Sequence, residues 1–237
     1  SDLPHPVTHV FYHIKEAEEF AATANLPLVA KLNIGSSGKG VEVIKARDEL
    51  HGYVREIFSS GRRSRSGPNL SRGSYLSRAV AVLSKRGMLR ERLTKYSAIR
   101  DEVQRGFALF QEYIPHEYEW RAVRIGDSFF AHKKMRMGEK ASGSLKKEYG
   151  APPVALLDFV RGVTDRFGFY SMSADLFETE PGKYLINEMQ CIFGQSDPYQ
   201  MIIDGKPGRY LFRNNGWVFE EGDFNTNQCF DLRVDHV

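Results

Sequence analysis

Residues 171–190 read SMSADLFETEPGKYLINEMQ. The pattern predicts two strands folded about Pro181–Gly182, which sets Asp175 opposite Glu188 and Ser173 opposite Gln190. Directly opposed residues on one face of a sheet lie about 5 Å apart. Two bare carboxylates at that distance repel by about 3 kcal/mol at an effective dielectric of about 20. A hard divalent cation, which takes oxygen ligands, is the simplest compensation. Two other readings stay open at this level. Strand carboxylates commonly face water, and a one-residue slip would move one carboxylate to the opposite face. The turn leaves the register open too, because Pro-Gly favours a type II turn whereas two-residue hairpins favour the primed types.

Outward from this hairpin, the segment PPVALLDFVRGVTDRFG (152–168) is the strongest predicted helix. Pro153 suits its first turn, Val154, Leu157, Val160 and Val163 form an apolar stripe, and Gly168 suits the position after its end. Before it, EWRAVRI and SFFAHKKMRM flank Gly126-Asp127 as a second predicted hairpin, and FALFQEYI (107–114) reads as a strand. Towards the start, Lys15–Ala24 and 46–60 read as helices, and LPLVAKLNI and VEVIKA as strands. The tail after Cys191 is turn-rich and aromatic. Helices alternate loosely with hairpins, so the expected class is α+β with antiparallel sheet.

The 237 residues carry 33 Lys and Arg against 30 Asp and Glu, a formal net charge of +3. The balance says little, but its distribution does. From Arg62 to Arg100 the chain is basic, with Glu91 the only acid. The expected division is residues 1–60, a basic insertion over 61–105, and 106–237. No apolar run approaches a membrane span and no signal peptide is visible. Cys191 and Cys229 form no metal-ligand spacing, so free thiols in a reducing cytoplasm are expected. His5, His9 and His13 share a strand face and read as structural, as does Trp120.

Lys31 stands four residues before Gly35-Ser36-Ser37-Gly38-Lys39-Gly40. Val41 follows Gly40 where a P-loop needs Lys-Ser/Thr, and Val43 stands where the dinucleotide fingerprint needs glycine. Here the glycines join two strands. Backbone N–H groups of such a flap can close over phosphates, and a lysine on the strand before it can meet their charge. A flexible hairpin loop with a solvated lysine is the alternative.

Three stretches in this order carry a resemblance: PLVAKLNIGSSGKGV, then FQEYIPHEYEWRAVRIGD, then SADLF…LINEMQCIFG. Together they resemble the ATP-grasp superfamily, nearest its RimK and glutathione-synthetase-like carboxylate–amine ligases. The resemblance implies two α+β subdomains with mostly antiparallel sheets clasping a nucleotide. It implies that Lys31 contacts the α/β-phosphates and that Gly35, Ser36, Ser37, Gly38 and Gly40 belong to the flap. Gln111, Glu112, Tyr113 and Ile114 would hold adenine, and Glu119 the ribose hydroxyls. Arg121 would match the arginine of a D-I-R stretch. Lys133, Lys134 and Arg136 would lie on a strand that meets the transferred phosphate. Adjacent residues point to opposite faces, so Lys134 with Arg136 is the better pair. Asp175, Glu188 and Gln190 would hold one or two Mg²⁺ ions.

The implied reaction is ATP-dependent ligation of a carboxylate to an amine, or to a thiol, through an acylphosphate. The sequence departs from the family pattern in three ways. Gln190 stands where asparagine is usual. No further phosphate-contacting lysine or N-terminal domain precedes the proline-threonine segment, so a fragment or a shortened lineage is expected. KASGSLKKEYG replaces an Arg-x-Asn loop. Two other functions compete: an ATP-grasp-type kinase without ligation, and a vestigial module that binds an acidic polymer through the basic insertion. That insertion has little aromatic interleaving, which argues against nucleic acid. Small-molecule or peptide carboxylates and amines are the expected partners, and a homodimer is left open.

Overall fold

A computed structural model describes residues 2–33, 40–63, 103–137, 140–141, 146–193 and 199–236. The flap residues Gly35–Gly38, most of the 61–105 insertion and residues 142–145 of the ASGS loop region fall outside them. Two compact units form, one from residues 7–113 and one from residues 1–6 with 114–237.

In the first unit, Thr8–Phe11 forms strand β1, Ile14–Thr23 helix α1, Leu28–Lys31 β2, Val41–Ile44 β3 and Arg47–Phe58 α2. Short β-prone runs alternate there with helices of mixed polarity. Arg62–Arg63 (β4) pairs with Val103–Gln104 (β5), and Ala108–Glu112 is β6. The main sheet has the order β1-β6-β2-β3, and every pair in it is antiparallel. The apolar sides of α1 and α2 (Ala17, Ala21, Leu50, Val54, Ile57) bury against Leu28, Ala30, Ile44 and Phe110. Helix α2 starts with a backward hydrogen bond, the Glu49 carboxylate accepting the Ala46 N–H at 3.2 Å.

The second unit carries the chemistry. Its strands are Tyr118–Ile125 (β7), Ser128–Met137 (β8), Lys140–Ala141 (β9) and Lys147–Glu148 (β10). After helix Val154–Phe167 (α3) come Ser171–Glu180 (β11), Lys183–Gln190 (β12), Ile202–Ile203 (β13), Lys206–Arg213 (β14) and Gly216–Glu221 (β15). A 3₁₀ turn over Thr226–Cys229 leads into Phe230–His236 (α4). The sheet order is β12-β11-β7-β8-β14-β13, with β9 and β10 also on β8 and β15 on β14. The α+β class with antiparallel sheet is as the sequence predicts.

Both predicted hairpins form. Ile125 pairs with Ser128 around Gly126, whose φ is +55°. Gly182 turns the second hairpin at φ +78°, and the register sets Asp175 against Glu188 and Ser173 against Gln190. A bulge follows, since Leu176 pairs with Ile186 and Asn187 is the extra residue. Helix α3 covers the face of Trp120, Ala174, Leu176 and Ile186. It does so with Leu156, Leu157 and Val160, whereas Val154 is 58% exposed. The expected stripe is corrected at its first position: Val154 is exposed, while Leu156 joins Leu157 and Val160 on the buried side. Gly168 ends the helix in the left-handed region at φ +67°, as expected. The turn-rich, aromatic tail forms the hairpin β14–β15, closed by Asn214 and Asn215 at φ +52° and +59°. Asparagine tolerates that conformation, and two such residues in a row suit a primed two-residue turn. Among the described residues no helix is long and apolar enough to cross a membrane.

Candidate functional site

Side chains alternate along each strand, so β7, β8, β11 and β12 each give one face to α3 and the other away from it. On that second face Glu188, Asp175, Arg121 and His132 are directly opposed on successive strands. One step along, Glu119 opposes Lys134.

These residues form a buried charged cluster. The Arg121 guanidinium grips Asp175 with two parallel bonds, Nε to Oδ1 and Nη2 to Oδ2, both 2.8 Å. Lys134 Nζ donates to Asp175 Oδ2 and to Glu119 Oε2, both at 2.6 Å. Asn187 Nδ2 donates to the other Glu119 oxygen at 3.2 Å. The side chains of Asp175, Lys134 and Glu119 are 4%, 5% and 8% exposed, and that of Arg121 is 21% exposed. Burial works to raise the Asp175 pKa, but the Lys134 charge and the Arg121 fork outweigh it and hold it below the usual carboxylate range. Burial likewise opposes the Arg121 charge, and Asp175 reverses this and raises its pKa.

The expected repulsion between two bare carboxylates is corrected here. Asp175 is neutralised from within the chain, by cations on the two strands beyond it. Glu188 is exposed and accepts a hydrogen bond from the Gln190 amide. Asp175, Glu188 and Gln190 share a face and offer only oxygen donors towards a metal, which is the donor type Mg²⁺ takes. They fit that ion in kind, while three donors already engage Asp175. Among the described residues no group of three or more His, Cys, Asp or Glu side chains is arranged to hold a metal ion.

Other candidates are placed as follows. Lys133 points to the α3 side, over the Tyr118 and Trp120 rings at 4.1 and 5.2 Å from their centroids. It is not brought to the cluster, and strand alternation is the reason. Arg136 lies on the cluster face, and its Nη1 donates to the His116 carbonyl at 3.3 Å. Glu119, expected at a ribose, has both oxygens engaged inside the cluster. In the first unit, Lys31 is half-buried at the end of β2, opposite Val41 and Leu109. Gln111 is buried and donates to Thr8 Oγ1 at 3.2 Å. Exposed Glu112 accepts the Val7 N–H at 3.3 Å. Tyr113 is the last residue of the first unit, and the second unit resumes at Ile114. Gly40 is the one described flap residue, and its carbonyl accepts the Leu32 N–H at 2.7 Å.

Sequence reasoning missed Asn187 and His132. Alternation in SFFAHKKMRM puts His132 on the face of Lys134, so that signal was present. Asn187 joins the cluster through the bulge, which a two-residue period does not foresee. His132 is 1% exposed. Its Nδ1 lies 2.9 Å from the Gln200 carbonyl and therefore carries the proton, while Nε2 has no hydrogen-bond partner among the described residues. Burial first, then the Lys147 charge, push its pKa down to about 3, so the ring is neutral. On the opposite face Glu178 accepts Tyr118 Oη and Trp120 Nε1, each at 3.0 Å, and Tyr184 Oη at 3.3 Å. Burial alone would raise its pKa, and those donors together with the Gly182 N–H, 3.3 Å from Oε1, hold it low.

No protein-family model matches the sequence, and no curated protein matches it. Solved structures do resemble it. The biotin carboxylase domain of Hydrogenobacter thermophilus 2-oxoglutarate carboxylase, solved with MgADP, ADP and bicarbonate, is 15% identical with a TM-score of 0.50, over 84% of this chain and 38% of that one. The RimK domain ATP-grasp protein of Sphaerobacter thermophilus is 18% identical with a TM-score of 0.46, over 79% of this chain and 53% of that one. The RiPP-associated ATP-grasp ligase of Chryseobacterium gregarium, solved with ADP and a leader and core peptide, is 14% identical with a TM-score of 0.45, over 79% and 47%. The chain thus spans about half or less of the length of these proteins.

Proposed function

We propose that the chain has the ATP-grasp fold that its sequence resembles, binds ATP with Mg²⁺ and joins a carboxylate to an amine through an acylphosphate. One observation carries the proposal. Arg121 and Lys134 are desolvated, fixed by Asp175 and Glu119, and presented beside exposed Glu188 on one sheet face. Fixed cations in a poorly solvated place stabilise anionic oxygens of a phosphoryl transfer far better than solvated ones do. The fold neighbour with the TM-score of 0.50 was solved with MgADP, which supports a nucleotide as the ligand.

In this reading the substrate carboxylate attacks the γ-phosphorus, a P–O bond forms, and the bond to the leaving ADP oxygen breaks. The amine then attacks the acyl carbon, loses a proton, and phosphate leaves. Arg121 and Lys134 orient and neutralise the phosphoryl oxygens, with Arg136 on the same face. Lys31 and the Gly35–Gly40 flap hold the phosphates, and Gln111–Ile114 hold the base. Asp175, Glu188 and Gln190 would hold Mg²⁺, which neutralises phosphate charge when bound. Lys133 has a structural part, stacked on its two aromatic rings.

Incubation with ATP, Mg²⁺ and panels of carboxylates and amines, read by mass spectrometry, tests the reaction. ADP, phosphate and a condensation product are expected. A stable phosphorylated product without condensation would make the protein a kinase. No ADP from a protein that binds ATP, with any pair, would count against both activities.

A further inference from the structure

Gln104 is a buried amide at the end of an exposed ribbon. Its strand, β5, carries only Val103 and Gln104 and pairs with β4, so Gln104 stands where the chain returns from residues 64–102. Val103 is 39% exposed there and Gln104 3%. A buried amide needs a partner at its donor end and another at its acceptor end. Gln104 has both. Its Nε2 donates to the Phe107 carbonyl at 3.2 Å, across the turn that Gly106 makes at φ +83°. Its Oε1 accepts the Asn33 N–H at 2.6 Å, from a residue 71 positions earlier. These partners fix the amide's orientation, because an N–H calls for the oxygen end and a carbonyl for the nitrogen end.

Asn33 is the residue that leads into the glycine flap. One step before it, the Leu32 N–H donates to the Gly40 carbonyl at 2.7 Å, and Lys31 pairs with Val41. The two arms of the flap are thus joined to each other at Leu32 and Gly40. One residue further out, the first arm is joined to β5 by the Gln104 side chain. A loop that closes over a phosphate gives up less freedom when its root is already held. Its backbone N–H groups also help only when they are aimed at the anion.

We propose that Gln104 is a positioning residue for the nucleotide: it holds the root of the glycine flap from outside the flap and sets the direction in which the chain leaves Asn33. This rests on the ATP-binding part of the proposed function and adds to it a residue that touches no substrate. The same residue closes the ribbon at the base of the basic insertion, so one side chain ties the roots of both loops together.

The test joins amide hydrogen exchange, resolved by residue with NMR, to calorimetric titration of ATP with Mg²⁺, both on the full chain. In wild type the Asn33 amide is expected to exchange about fivefold or more slower than an unbonded amide. Gln104→Met keeps the length of the side chain and removes both polar ends. It should lose the Asn33 protection while Leu32 keeps its own, and its ATP affinity should fall by about fivefold. Gln104→Glu loses the donor to Phe107 but keeps an acceptor for Asn33, so that amide should stay protected. A merely structural role would lower the melting temperature of both variants without separating them at Asn33. Free exchange at Asn33 in wild type would overturn the proposal, and that measurement stands even if neither variant melts cooperatively. A folded Gln104→Met that binds ATP as tightly as wild type would overturn it too, and would leave the ligase reading in place. Wild type that binds no ATP would instead end the ligase reading itself.

Discussion

Lys134 and Asp175 are both buried and their charged atoms lie 2.6 Å apart. At an effective dielectric of about 20 the gross attraction is about 6 kcal/mol. Desolvation of two ions consumes several kcal/mol each, so the net worth of the pair is small while the cost of breaking it is large. Asp175→Asn leaves Arg121 without its carboxylate and Lys134 with Glu119 alone. Lys134→Met removes the lysine that contacts Glu119 at 2.6 Å and leaves it no lysine or arginine partner among the described ion pairs. Each change should cost about 3–5 kcal/mol. The double variant removes one charge of each sign and should cost less than the sum by about 2 kcal/mol, within the range for directly contacting residues. Urea unfolding of the full chain, followed by tryptophan fluorescence, measures all four corners of the cycle. Additivity within about 0.5 kcal/mol would refute the view that these residues act as one charge-balanced group.

Two further outcomes follow from the same sheet. His132 has a folded pKa of about 3, below its ordinary 6.5. An unfolded chain therefore takes up a proton that the folded one refuses, and the stability from this residue is full above pH 6.5 and declines on acidification towards 3. Between pH 6 and 4.5 the fall should be about 2 kcal/mol, and it should flatten in His132→Asn. Asp175, whose pKa is lowered, loses its contribution only below about pH 4, so it does not share that window; a slope unchanged in His132→Asn would contradict the assignment. Glu178→Ala strips an acceptor from Tyr118, Trp120, Tyr184 and the Gly182 N–H and should lower stability by about 2 kcal/mol, read as a shift of the urea midpoint. A change below about 0.5 kcal/mol, the range of an ordinary surface substitution, would mean the four donors find water instead.

The hairpin itself was legible from Pro181-Gly182 between two β-prone runs, and the register expected of it is the one observed at Asp175 and Glu188, although the turn type left a one-residue slip open; the helix 154–167 was legible from its period and from Gly168. The same alternation separates Lys134 from Lys133. The partners of Asp175 were not read in the sequence, although register carried them: Arg121 and Lys134 sit 54 and 41 positions away and reach it by cross-strand pairing. An isolated carboxylate pair therefore looked in need of a metal ion when its neutralising charges lay on other strands. Asn187 was hidden by a bulge, and the β14–β15 hairpin by a Gly- and Asn-rich composition that reads as loop. The roles expected of Gln111–Ile114 rest on the resemblance to ATP-grasp ligases, since patterning alone carries none.

Isothermal titration of ATP into wild type, with and without Mg²⁺, and into Glu188→Ala, tests the central claim most directly. Glu188 is exposed, so its removal leaves the buried cluster and the fold in place. The account predicts saturable binding that Mg²⁺ strengthens by about tenfold or more, about 1.4 kcal/mol, with that strengthening lost in Glu188→Ala. Wild type that binds no ATP, or binds it equally well with and without Mg²⁺, would contradict it.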